Sequence, residues 1–371
     1  MSTLATWARF PEDDLALPAV QQSRTRFGRE PWIGGICATL IYGLLGVLIV
    51  PRYGVMTDAF ARVANAFYVV FSRDPHLEAI GFVWNPLPSM LMVPLVLLKG
   101  IWPALVREAI AANLISALFG GIGMFYMLRI LRRLGLSGRL RWTIAILFAL
   151  NPAMLFYAVN GLTDVMMGTT LLAATDGLWA YLEEGSFSEL LASGVWVAVG
   201  FLIRYEVVVW AGLVGVALAY GLARLPVRAL PAQRRADWIA GLLLFWLTPL
   251  VCVVITWIFY NWIIMGDPLY FMRSTYGNEA SVATGAYAYG PMNAARHSIG
   301  GTFAYLGRQT LLFPPVTVVL VALLLFGLKG RLDRHVRALI LVAAAVAVPL
   351  LQVLLLYRGD SPGWLRFFLS F

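Results

Sequence analysis

Charge is scarce in this sequence. Only 13% of its 371 residues are charged, against about 25% in an ordinary soluble domain. In their place 60% are hydrophobic, and the mean hydropathy is +0.79. One soluble core cannot hide that much apolar surface, so a soluble globular class is excluded. Cysteine is nearly absent too: Cys37 and Cys252 are the only two, each inside an apolar run. That excludes a disulfide framework and a cysteine zinc site, and leaves two small hydrophobes that are expected to be buried. The stretch 1–31 is polar and lacks the short apolar core and small-residue cleavage site of a secretory leader. The first apolar run is therefore expected to persist as a transmembrane helix.

What is there is a series of apolar runs, each near the roughly 20 residues that cross a bilayer. They fall at about 32–51, 107–130, 141–159, 164–182, 187–203, 205–223, 237–264, 311–328 and 336–357. The expected fold is all-α, a polytopic transmembrane helical bundle of about nine crossings. A tenth run, 83–98, is interrupted by Asn85, Pro86 and Pro88. The net charge of +9 comes from short clusters between runs, which is the positive-inside pattern and not a nucleic-acid face. Arg24, Arg26 and Arg29 place the N-terminal segment 1–31 in the cytoplasm. The cluster Arg129, Arg132, Arg133, Arg139 and Arg141 must then be cytoplasmic as well. That requires an odd number of crossings between 52 and 129, so 83–98 is read as a re-entrant or interfacial helix on the outer face. Arg224, Arg228, Arg234 and Arg235, and later Lys329, Arg331, Arg334 and Arg337, fit the same topology. The transmembrane domain is thus 32–357, with two large outer segments, 52–106 and 265–310. Residues 358–371 read as the start of a further outer or transmembrane segment, cut short.

The chemistry-bearing residues gather on the outer side of this scheme. Asp58 and Arg62 are four apart on an amphipathic stretch, 57–72, and share a helix face; a helix cap with a surface ion pair accounts for them equally. Asp74, His76 and Glu78 precede Trp84-Asn85-Pro86, a polar loop cut by prolines. Asn151-Pro152, Tyr157 and Asn160 lead to Asp164 at a tight turn, where a carboxylate favours the positive end of a helix. Asp176 lies deeper in the same run and needs a partner or water. Arg204 and Glu206 mark another outer turn, as a phosphate ligand or as an ion pair snorkelling to the headgroups. The loop after Gly266-Asp267-Pro268 interleaves Arg273, Tyr276, Arg296 and His297 with further aromatics. Such residues suit sugar stacking and phosphate pairing, and they also suit an interfacial aromatic belt.

In order and sidedness these features resemble the GT-C superfamily of membrane glycosyltransferases, in particular its protein O-mannosyltransferase and aminoarabinose-transferase branch. The resemblance spans about 32–310. It rests on Asp58 after the first helix, Asn85-Pro86-Leu87-Pro88 in the first outer loop, the basic turn ending at Arg141, Asn151-Pro152 to Asp164, and Arg204-Tyr205-Glu206. Ala59 stands where many members have a second acid, Trp84-Asn85-Pro86 where His-Pro-Pro is usual, and Arg204 where a lysine is frequent. The resemblance implies an inverting sugar transfer from a polyprenyl-phosphate donor to a hydroxyl of a glycan, lipid or protein. It implies Asp58 as general base, and Arg62, Arg204, Arg273 and Arg296 facing the donor phosphate. Asp164, with Asp74, His76, Glu78, Asn85, Tyr157 and Glu206, would orient sugar, acceptor or a divalent metal. The expected setting is multi-pass in a bacterial plasma membrane, active face outward, serving cell-envelope glycosylation. A transporter or flippase for a lipid-linked substrate, and a non-catalytic membrane subunit, are the rival readings.

Overall fold

The computed structural model describes residues 28–54, 56–224, 232–285, 291–312 and 336–361. Every regular element among them is helical. Among the described residues five helices are long and apolar enough to cross a membrane: α1 (Glu30–Tyr53), α5 (Ile110–Arg133), α10 (Val207–Arg224), α11 (Ala232–Met265) and α16 (Val336–Arg358). Cys37 on α1 and Cys252 on α11 are exposed and not buried as expected, because an apolar helix face turned to lipid needs no protein cover. A sixth candidate is a broken pair, α6 (Gly138–Ala149) and α7 (Pro152–Val159), bent by 61°. The expected single run 141–159 breaks because Asn151 precedes Pro152, and proline disfavours helical backbone in the residue before it. Asn151 Oδ1 then accepts from Ala153 and Met154 N–H, capping α7, while Tyr42 Oη donates to the Ala149 carbonyl freed at the end of α6.

Two expected spans form helices outside the crossing criterion: α8 (Thr163–Glu184), which is long but polar, and α9 (Phe187–Phe201), which is apolar but only 15 residues long. α8 carries Thr163, Thr169, Thr170, Thr175, Asp164 and Asp176 and is buried on all sides. A helix enclosed by other helices can hold polar groups that a lipid-facing one cannot. The run 311–328 lies, but for its first two residues, outside the described residues. So do 1–27 and 362–371.

α5 is the hub. α1 packs along it where Gly35 meets Gly121, so closely that a Cβ on Gly121 would overlap the Thr39 hydroxyl and the Gly35 carbonyl. Small residues let membrane helices approach to backbone contact in this way. α8 packs on another side of α5, then α9 on α8, and α11 on α9. Tryptophans tie the outer layer by their N–H groups: Trp246 donates to Ser193 Oγ at 3.0 Å and Trp210 to the Ala344 carbonyl of α16 at 3.1 Å.

Between α1 and α5 lie α2 (Thr57–Phe71), α3 (Leu87–Val96, continued by a 3-10 turn to Gly100) and α4 (Ala104–Arg107). The segment Leu87–Gly100 is too short to cross a hydrocarbon core of roughly 30 Å. It packs on α2 and α5, and Lys99 Nζ lies over the Phe71 ring at 3.6 Å and the Phe67 ring at 4.6 Å.

At the C-terminal ends of α5 and α8 the charges are closed into one network. Asp176, 1% exposed, receives Arg129 at 2.8 Å and Arg133 at 3.0 Å. Arg133 also reaches Glu183 at 2.6 Å, and Glu183 accepts from Arg337 at 3.3 Å and Trp179 at 2.7 Å. The partner that Asp176 needs is thus protein. Removing one member of a buried ion group leaves the others uncompensated. Asp176→Ala is expected to destabilise the detergent-solubilised protein by about 3–5 kcal/mol, more than Asp176→Asn does, read as the loss of monodisperse protein on heating. Gly121→Leu is expected to separate α1 from α5 and abolish the folded species in the same assay.

Candidate active site

At the opposite end of α5 and α8, four segments distant in sequence enclose one cavity of about 200 Å³. Its wall is made by Asp58 and Arg62 from α2, Trp84 and Asn85 before α3, Leu162 to Asp164 at the start of α8, and Ile203 to Glu206 between α9 and α10. A helix as long as α5, 24 residues, spans roughly 36 Å at 1.5 Å per residue. Asp164 in the cavity wall and Asp176 in the buried network share α8 and stand roughly 18 Å apart along its axis, with Glu183 further on towards the other end.

α2 delivers its pair as the spacing predicts. Its N-cap is Met56, with no side-chain cap, so Asp58 is not the capping residue. Instead it stands in the positive first turn, half-buried, four residues before Arg62. The turn 160–162 passes directly beneath. Asn160 Oδ1 accepts from Met56 N–H at 3.3 Å. Gly161 has φ +75°, and a Cβ there would strike Ala112, Asn113 and Ala59. Glycine is required at this point by conformation and by space together.

Arg204 is held from two sides. Its NH1 donates to Asp164 Oδ1 at 2.9 Å, and its NH2 and Nε donate to Glu206 Oε1 at 2.5 and 3.2 Å. Burial pulls its guanidinium pKa down, but Glu206 and then Asp164 outweigh this and the net shift is upward. Asp164 is not a helix cap either: the N-cap is Leu162, and Asp164 lies buried in the first turn.

Arg62 sits differently. It is buried, with one hydrogen bond, NH1 to the Asn85 carbonyl at 3.3 Å, and its guanidinium lies 5.0 Å from the centroid of the Trp84 ring. Burial foremost, and Arg204 after it, lower its pKa to about 10. Both arginines feel the charge of Asp58.

Asn85 is structural. Its Nδ2 donates to the Phe201 carbonyl at the end of α9, and Leu87 N–H donates to the Leu202 carbonyl at 3.1 Å beside it. The turn before α3 is thereby fastened to the corner that carries Arg204. Tyr205 is committed as well. Its ring stacks on Phe271 at 4.6 Å, its hydroxyl accepts from Trp257 Nε1 at 3.2 Å, and burial raises its pKa.

The remaining candidates from the sequence lie elsewhere. Asp74 is 93% exposed and pairs with His76 at 3.7 Å. Glu78 is exposed beyond them. Arg273 is exposed and pairs with Asp267 at 3.5 Å. Arg296 is exposed and packs against Gly359. Tyr157 is half-buried on α7, its ring edge-on to Phe156. None of these six lines the cavity. They share its expected side but not its walls, because sidedness fixes height along the bundle and leaves lateral position free. Spacing, in turn, does not single out Trp84 or Tyr205, since an aromatic at a membrane interface is the common case.

Family models, curated proteins and solved structures were compared with the chain, and none matches it. Among the described residues no group of three or more acids, histidines or cysteines is arranged to hold a metal ion.

The Arg204 fork predicts a coupled loss of stability. Asp164→Ala is expected to cost about 1–3 kcal/mol, less than loss of the whole network because Glu206 remains. In a double-mutant cycle with Arg204→Met the two losses should fall short of additivity, measured as thermal midpoints of the purified variants.

Proposed function

We propose that the chain is a membrane glycosyltransferase that moves a sugar from a lipid-linked phosphate donor to an acceptor hydroxyl. The observation that carries this reading is the cavity itself. One recess combines a half-buried carboxylate in a helix's first turn, a buried arginine with donors to spare, and an aromatic wall, at the end of the bundle away from the basic loops.

The geometry supports the following chemistry. Asp58 accepts the proton of the acceptor hydroxyl as its oxygen attacks the anomeric carbon. The bond from that carbon to the phosphate oxygen breaks, and the phosphate leaves with the electron pair. Attack from the face opposite the leaving group inverts the centre. The departing negative charge needs a positioned cation. Arg62 fills that role best, because an arginine has five donors and among the described residues Arg62 makes one hydrogen bond, to the Asn85 carbonyl. Arg204 is better read as the counter-ion that fixes Asp164 and Glu206, its donors being directed at both carboxylates. Arg273 and Arg296 are omitted from the phosphate set because they lie off the cavity. The bilayer holds the donor's lipid tail while the outer-facing cavity takes its head.

A carrier for a lipid-linked substrate is the second reading. The buried Asp176, Arg129 and Arg133 group favours it, since intramembrane charges often mark a transport path. That group, however, is closed by its own ion pairs and lies roughly 18 Å along α8 from Asp164 in the cavity wall.

Asp58→Asn tests the assignment. The variant is expected to bind a polyprenyl-phosphate sugar as the wild type does and to transfer it at least about 100-fold more slowly, read by product formation in proteoliposomes. Undiminished transfer in the variant removes Asp58 as the base. A wild type that forms no product but moves the lipid between leaflets supports the carrier.

A further inference from the structure

Trp84 lines the cavity, is partly exposed, and has one face occupied. Arg62 covers that face at 5.0 Å from the ring centroid, yet the residue keeps 36% of its surface accessible. No other large aromatic face is available in the cavity. Tyr205, the second aromatic in the wall, is stacked on Phe271, edge-on to Phe201 and hydrogen-bonded to Trp257. The turn that carries Trp84 is rigid on both sides, with Asn85 bonded to the end of α9 and Phe82 stacked on Trp257 at 5.4 Å.

The surrounding charges define what can lie against this ring. The cavity holds three carboxylates, Asp58, Asp164 and Glu206, and two guanidiniums, Arg62 and Arg204, for a formal charge of −1. An anionic group is accommodated only near Arg62, beside Trp84. A body placed over the indole must therefore be neutral, with an apolar face toward the ring and polar groups toward the acids. A pyranose has that shape: its axial C–H bonds form one apolar face and its hydroxyls lie around the edge. C–H dipoles meet the negative face of the π system favourably. The volume of about 200 Å³ is below the roughly 300–1,000 Å³ of drug-sized pockets, and suits one ring at a time.

We propose that Trp84 is the sugar-stacking residue of this site, with Arg62 packed behind it as a brace. The proposal rests on the transferase reading above and adds to it the group that selects glycosylated over bare carrier lipid. Trp84 touches the sugar and takes no part in proton transfer. Its loss acts on sugar recognition and spares recognition of the phosphate.

The test uses the full chain in detergent and native mass spectrometry with two probes: a short-chain polyprenyl phosphate, and the same lipid phosphate carrying one pyranose. Wild type is expected to prefer the glycosylated probe. Trp84→Phe keeps the preference, and Trp84→Leu, smaller and apolar like phenylalanine but without a π face, reduces it about tenfold with binding of the bare phosphate unchanged. Equal loss of both probes in Trp84→Leu overturns the proposal, because the ring then only props Arg62. A wild type that binds both probes alike also overturns it, while the phosphate-binding part of the transferase reading survives. Failure of wild type to bind either probe removes the transferase reading and this proposal together.

Discussion

Arg204 determines the shape of the cavity. Its guanidinium reaches Asp164 at the head of α8 and Glu206 at the head of α10, so two helix starts are drawn to one corner. A charge in so little water cannot stay uncompensated, and the corner is rigid for that reason. Asn85 then bonds to the end of α9 one turn away, which brings in the segment before α3. Arg62 on α2 donates to the Asn85 carbonyl, which brings in α2 and with it Asp58. Each segment around the cavity depends on the one before.

The same constraint acts at the other end of α5 with the opposite outcome. There Asp176, Glu183, Arg129, Arg133 and Arg337 satisfy one another inside the bundle, and the network closes on itself. At the cavity end the compensation is uneven. Arg204 is bonded to two acids, whereas Arg62 bonds one carbonyl, packs on one aromatic ring, and feels Asp58 and Asp164 through space only. The first arrangement locks helices together. The second leaves a buried cation whose environment improves when an anion arrives, which is the electrostatic argument behind the proposed phosphate site.

Much of the fold was legible without coordinates. Among the described residues most apolar runs mark single helices to within a few residues, from 32–51 against Glu30–Tyr53 to 336–357 against Val336–Arg358, and 141–159 is the one that breaks in two. The non-crossing segment near 83–98 followed from counting basic clusters, and the helix found there is too short to span. The break at Asn151-Pro152 was present in the sequence as an N-cap residue before proline, although the run around it reads as continuous. For the site, Asp58, Arg62, Asn85, Asp164, Arg204 and Glu206 were readable because charged and amide groups at the ends of apolar runs are few. Asp74, His76, Glu78, Tyr157, Arg273 and Arg296 met the same criterion and lie off the cavity.

The sequence by itself determined residence and height: which segments are apolar enough for a bilayer, and which residues stand at which end of it. Both follow from local composition and from the rise of a helix. Only the tertiary structure decided pairing. Asp164 meets Arg204 across 40 residues, Arg133 meets Asp176 across 43, and Asn85 meets Phe201 across 116. Which arginine is saturated and which retains capacity, and whether an aromatic presents its face to a cavity or to a neighbour, depend on how helices pack laterally. Lateral packing is set by side-chain fit between distant segments, for which neither periodicity nor charge counting carries a signal.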